Sequence, residues 1–240
     1  MRKIAVAVSA MIGLGATLTA AETIELRPAR DNTLYEDAAG RFSNGVGRHF
    51  FAGMTAANSI RRGLVAFDVA SALPSGATVE SVELTLHVSK SISGMTSVEL
   101  RKLLADWGEG DSDAPLEEGA GIAAAVDDVT WTHAFLDGTP WERPGGVFAE
   151  TAGSVQGIGG VGFYTWESTA QLVSDVQDWL DEPAANFCWV VLGNEESSRT
   201  TKRFDTREHA NADMWPVLRI EIATPPTAVA PRTWGSVKTN

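Results

Sequence analysis

The chain has 240 residues, 31 acidic against 19 basic side chains for a net charge of −12, and a single cysteine. That length permits one sizeable core. The charge opposes binding to nucleic acid or another polyanion unless basic residues cluster or a cation bridges, and one cysteine excludes an intrachain disulfide.

The first residues, MRKIAVAVSAMIGLGATLTAAET, begin with a short basic region, Arg2 and Lys3. An Ala- and Gly-rich apolar run, Ile4 to Leu18, follows, and then the small residues Thr19-Ala20-Ala21. This pattern predicts a signal peptide over 1–21, cleaved after Ala21, and a secreted or cell-surface protein with no membrane insertion after cleavage. No cysteine adjoins the site, which argues against a lipoprotein.

Beyond it, period-2 alternation dominates. Short strands are predicted at 23–26, 33–36, 49–52 and across Val65, Phe67 and Val69. The clearest is Val82, Leu84, Leu86 and Val88 alternating with Glu83, Thr85 and His87, a half-buried strand with one wet face. Further strands are expected at 98–104, 129–132, 163–166 and 202–206, and where Leu218, Ile220 and Ile222 alternate with Arg219 and Glu221. Phe187 to Leu192 is continuously apolar, as in a central strand, with Cys188 as a small buried hydrophobe. Turn signals such as Asn44-Gly45, Pro74-Ser75-Gly76 and Gly193-Asn194 separate these runs. Many short strands so punctuated predict an all-β sandwich.

One helix interrupts. In STAQLVSDVQDWLDEP, Ser168 is placed to cap and Gln171 stands at the capping-box spacing. Leu172, Val173, Val176, Trp179 and Leu180 share one face, Asp175, Gln177 and Asp178 the other, and Pro183 ends the run. Residues 105–128 have no period and read as a long acidic loop. After Ala223 the composition turns to TPPTAVAPRTWGSVKTN, a Pro/Thr-rich tail over 224–240 without core potential.

The hexapeptide Asp31-Asn32-Thr33-Leu34-Tyr35-Glu36 resembles the one that names the DNRLRE domain family, departing at Thr33 and Tyr35. The resemblance continues through Ser43-Asn44-Gly45-Val46-Gly47, Arg62-Gly63-Leu64-Val65-Ala66-Phe67-Asp68, Trp107-Gly108-Glu109-Gly110, DVTWTHAFLDGTPWERPGG and KRFDTRE, and covers 22–223. Val147 stands where an acidic residue is usual and Cys188 where Gly is common. The second departure reads as a packing change. The resemblance implies a jelly-roll β-sandwich related to carbohydrate-binding modules, alginate-binding members among them, and to accessory domains of an archaeal disaggregatase.

For enzymes, the chain has no Gly-x-Ser-x-Gly, no phosphate-binding Gly loop, and no zinc spacing among His49, His87, His133 and His209. For sugar binding, eight Trp against two Tyr is suggestive, because a pyranose face stacks on a flat ring. Trp131, Trp166, Trp179 and Trp189 fall in strand or helix contexts; Trp107, Trp141 and Trp215 fall in loops and are the candidate platforms. An anionic glycan would need Arg61, Arg62, Lys202 and Arg203 as its basic contacts, or Ca²⁺ as a bridge. A structural Ca²⁺ is expected from Asp106, Glu109, Asp111 and Asp113 in the long loop, although the spacing is not that of an EF-hand. Asp31, Asn32, Glu36 and Asp37 form a second acidic group.

The expected function is therefore a secreted, monomeric, non-catalytic module that binds a polysaccharide. An adhesive or structural surface module with a protein partner is the alternative, and it predicts an exposed apolar patch. An exported hydrolase or lyase would instead present a cleft with convergent titratable groups.

Overall fold

The alternation around Val82 extends into a strand of 14 residues, Thr78–Ser91, in which Val82, Leu84, Leu86 and Val88 are fully buried and Glu83, Thr85 and His87 face outward. The computed structural model describes residues 21–223. Residues 1–20 of the predicted signal peptide and the C-terminal tail lie outside the described residues, and Ala21, its last residue, opens β1.

In chain order the strands are β1 (Ala21–Leu26), β2 (Arg30–Tyr35), β3 (Phe42–Ser43), β4 (His49–Met54), β5 (Ile60–Ala66), β6 (Thr78–Ser91), β7 (Thr96–Lys102), β8 (Ile122–Ala123), β9 (Ser154–Ile158), β10 (Gly162–Trp166), β11 (Trp189–Leu192), β12 (Lys202–Asp205) and β13 (Val217–Ala223). Helix α1 (Val69–Ala72) follows β5, and α2 (Ala170–Asp181) follows β10. The pairing is antiparallel throughout, and the fold is the all-β sandwich that the sequence predicts.

One layer runs β1-β13-β6-β12-β4, with β10 on the opposite edge of β6. The other runs β2-β5-β11-β7-β9. Strand β4 belongs to both: its first residues pair with β12, and Gly53 and Met54 pair with β5. The bend falls at Gly53, where φ is +113° and a Cβ would lie 2.9 Å from the Thr200 carbonyl oxygen. Only glycine takes that backbone without strain. Between the layers, Phe50 and Phe204 stack at 5.0 Å and pack with Leu64, Val98, Leu100 and Trp166.

Helix α2 closes one side of the sandwich. Its cap is Thr169 rather than Ser168: Thr169 Oγ1 accepts from the Leu172 N–H at 3.1 Å, while Ser168 Oγ accepts from the Val82 N–H of β6. Trp179 is buried as expected, edge-on to Trp189 at 4.7 Å. Asp175, assigned to the polar face by spacing, is buried too. Its carboxylate accepts from Trp189 Nε1 at 3.0 Å, and burial raises its pKa against those hydrogen bonds.

Three further expectations change. Val69 belongs to α1, whose N-cap is Asp68. Residues 129–132 form no strand, because Val129, Thr130 and Trp131 are pinned as buried loop. Cys188 is buried as expected, but its φ is +57°. Glycine would take that backbone without cost, whereas left-handed backbone costs a side chain about 1–2 kcal/mol.

Candidate functional site

The polar opening segment of the domain makes buried pegs. Asp31, Asn32, Thr33, Ser43 and Asn44 are all at most 2 % exposed. Asn32 Nδ2 donates to the Glu109 carbonyl at 2.7 Å, and Asn32 Oδ1 accepts from the Asn44 N–H at 3.1 Å. Asn44 Oδ1 in turn accepts from the Ala114 N–H at 2.8 Å. These bonds fasten the long loop 105–128 to β2 and to the turn at Asn44, and its Glu117 and Glu118 reach the outward-facing Arg203 of β12 and His49 of β4. A Cβ at Gly45 would lie 2.2 Å from the Glu109 carbonyl oxygen, so only glycine lets the loop approach this closely.

Fastened there, the loop arm 113–119 lies between two depressions. One, of about 470 Å³, is lined by Arg48, His49, Asp113, Leu116, Glu118 and Glu208. The other, of about 170 Å³, is lined by Phe51, Lys90, Ile92, Glu117 and Arg203. Register explains why these groups meet: His49 pairs with Asp205 and Phe51 with Arg203 across β4 and β12, with odd-numbered residues facing outward. The β12–β13 connection, 206–216, leaves the sheet between Phe204, paired to Val88, and Val217, paired to Thr85. It carries His209 and Trp215.

The result is a continuous chain of contacts across four strands. The exposed Phe163 ring of β10 lies 4.6 Å from the His87 ring of β6. His87 Nδ1 is 2.6 Å from Asp205 Oδ2, and Asp205 Oδ1 is 3.4 Å from His49 Nε2. The His49 and His209 rings are edge-on at 6.1 Å, and Trp215 Nε1 donates to the His209 carbonyl at 2.7 Å. Beneath, Glu118 Oε2 accepts from the His49 and Asn44 donors. Burial pushes the Glu118 carboxyl up, but the His49 contact and the Asn44 hydrogen bond outweigh it and hold the group below its ordinary pKa. Glu208 is raised, first by burial, with Arg207 opposing and Glu109 adding repulsion.

Sequence reasoning missed this cluster. His49, His87, Asp205 and His209 come from three strands and a loop, and only the alternation that places 49, 87 and 205 on outward faces hints at it.

The residues singled out from sequence lie elsewhere or are committed. Trp107 is fully buried, with Nε1 donating to the Phe187 carbonyl at 3.2 Å and the Arg30 guanidinium 4.6 Å over its ring. Trp141 is 6 % exposed and donates to the Thr130 carbonyl at 2.9 Å. Neither has a free face for a sugar; both pin loops to the sandwich. Trp215 is half-buried and belongs to the site.

Arg61 is buried on the Gly119 carbonyl and over the Tyr35 ring. Arg62, its neighbour on β5, faces the other way and forms a two-pronged ion pair with Glu195, both bonds 2.8 Å. Lys202 is fully buried among Ser91 Oγ, Ser93 Oγ and the carbonyls of Gly94 and Gly159. Arg203 pairs with Glu117 at 2.8 Å. These four do not form a basic patch.

The long-loop carboxylates also diverge. Asp106 pairs with Arg30 at 3.0 Å, Glu109 pairs with Arg207, and Asp111 and Asp113 are exposed. Among the described residues, the His/Cys/Asp/Glu side chains that converge closely enough to share one ion are His49, Asp205 and His209. No described helix is long and apolar enough to cross a membrane. Compared with protein-family models and with curated proteins, the chain matches none.

Proposed function

We propose that the domain is a non-catalytic polysaccharide-binding module whose ligand lies along the outer face of the β10-β6-β12-β4 layer. The observation that carries this is the contact chain, which has aromatic rings at both ends, Phe163 and the half-buried Trp215, and hydrogen-bonding side chains between them. A sugar needs that combination: an apolar ring face to stack on and directed polar partners around it. The resemblance to the DNRLRE family supports the same reading. Since Arg61, Arg62, Lys202 and Arg203 are committed to internal partners, a neutral polysaccharide suits this acidic surface better than an anionic one.

Affinity electrophoresis through gels holding neutral or anionic polysaccharides tests it. Retardation by a neutral polymer is expected, reduced at least about tenfold in affinity by Phe163→Ala or Trp215→Ala, a loss of about 1.4 kcal/mol. Arg101→Ala, on the opposite layer, should leave it unchanged. If both aromatic variants bind as the parent does, this face is not the site.

A second reading draws on the convergence of His49, Glu118, Asp205 and Glu208, the arrangement an exported hydrolase would present. Release of new reducing ends from a retarding polymer would favour it. No retardation by any polymer would favour a protein partner, docked where Ile92, Met95, Val161 and Phe163 are exposed.

A further inference from the structure

Asp205 is 1 % exposed, and its two oxygens are treated differently. Oδ2 is held by His87 Nδ1 at 2.6 Å. Oδ1 is buried without a hydrogen-bond donor and faces His49 Nε2 at 3.4 Å. A buried carboxylate oxygen is rarely left unsatisfied. The ring of His209 completes the group, and the three ligand-type atoms lie within 4.8 Å of one another.

We propose that His49, Asp205 and His209 bind one zinc-class divalent cation. A tetrahedral ion with ligands at about 2.0–2.1 Å sets neighbouring ligand atoms about 3.4 Å apart. The His49–Asp205 edge already has that length, 3.4 Å. The third ligand comes from the 206–216 connection, half-exposed at His209, so it can close the remaining distance without disturbing the sheet.

Two imidazole nitrogens and one carboxylate oxygen suit Zn²⁺ and its first-row neighbours, whereas Ca²⁺ and Mg²⁺ take oxygen ligands. The outer partners fit as well. His87 fixes the Asp205 carboxylate. Glu118 Oε2 sits 3.2 Å from His49 Nδ1, off the line of a hydrogen bond but close enough to favour a proton there and a free Nε2. His209 Nδ1 lies 3.2 Å from both the carbonyl and the N–H of Asn211. An ion on Nε2 selects the tautomer that donates to the carbonyl. The depression beside His49 leaves the fourth position to water or a ligand hydroxyl. This site stands whether or not a polysaccharide binds.

The test uses the chain purified without a histidine tag and stripped with EDTA. Zn²⁺ is titrated calorimetrically, Co²⁺ is followed by the visible absorption of its four-coordinate form, and melting is compared in Zn²⁺ and in EDTA. One ion per chain, a higher Tm with Zn²⁺ and the four-coordinate Co²⁺ spectrum are expected. His209→Ala, on a surface connection, should fold normally and weaken binding at least about tenfold. Asp205→Asn should do the same, and His133→Ala, distant from the site, should not. Failure to take up either ion, or parental affinity in His209→Ala, would overturn the proposal.

Discussion

Asp31 lies 1 % exposed near Glu109 and Glu208, with Oδ2 accepting from the Arg207 N–H at 3.2 Å and Oδ1 buried without a donor. Burial first, then the Glu208 and Glu109 charges, push its pKa well above 3.8 despite the Arg207 contacts. A carboxyl raised in the folded state favours folding fully below its unfolded pKa, and that advantage is lost as pH rises through the folded value. Asparagine mimics the protonated form. Asp31→Asn is therefore expected to match the parent's stability below pH 3.8 and to exceed it increasingly towards neutral pH, as read by Tm across a pH series. A constant offset at all pH values would contradict the assignment. The hexapeptide that first marks the domain is polar because it is built of such pegs, and a sequence pattern shows polarity without showing that it is buried. Cys188 gives the same lesson. Burial pushes its thiol up to about 12, and its Sγ accepts from the Phe67 N–H at 3.0 Å, but its left-handed φ of +57° is something no sequence displays.

The long loop is the element whose partners composition shows least. Its carboxylates read as a Ca²⁺ site; in the structure Asp106 and Glu109 pair with Arg30 and Arg207, while Asp111 and Asp113 are exposed. Asp128, fully buried, accepts from the Ala125 N–H at 2.7 Å and from the Ser112 N–H at 3.5 Å, tying the two arms of the loop together. Gly110 sits directly against it, at a φ of +71°. Asp128→Ala leaves those buried N–H groups without acceptors, at a cost of about 1–3 kcal/mol. Limited proteolysis should then cut within 105–128 faster than in the parent, while the sandwich stays intact. Unchanged cleavage would mean that Asn32 and Asn44 hold the loop unaided. The helix was easier to read: its apolar stripe and its stop at Pro183 survive folding, and only the cap and the burial of Asp175 depend on neighbours.

At the scale of the whole molecule, Lys202 joins parts far apart in sequence. Its ammonium bonds the turn between β6 and β7 through Gly94 and the turn between β9 and β10 through Gly159, both carbonyls within 3.0 Å. Burial lowers its pKa, with no carboxylate among its hydrogen-bond partners. Lys202→Met keeps the volume but abandons those carbonyls, at about 1–3 kcal/mol each. Its Tm should fall by at least about 4 °C, since two carbonyls cost about 2 kcal/mol or more together and about 1 kcal/mol shifts a domain of this size by about 2–4 °C. A variant that melts with the parent would show the charge to be dispensable.

The sequence by itself determined the sandwich, because alternation sets which side chains face inward, and that period survives whatever the strands pair with. It determined the burial of Trp179 and Cys188 through the helical stripe and the unbroken apolar run. The tertiary structure alone decided the rest. Antiparallel register set Asp205 opposite His49, the gap between β12 and β13 brought His209 over them, and the loop pegs buried Trp107 while leaving Phe163 exposed. His49 stands more than a hundred positions from Asp205 and His209, and no local pattern encodes their meeting. A side chain's neighbours on a sheet are set by which strands pair and in what register, and pairing is a property of the whole chain.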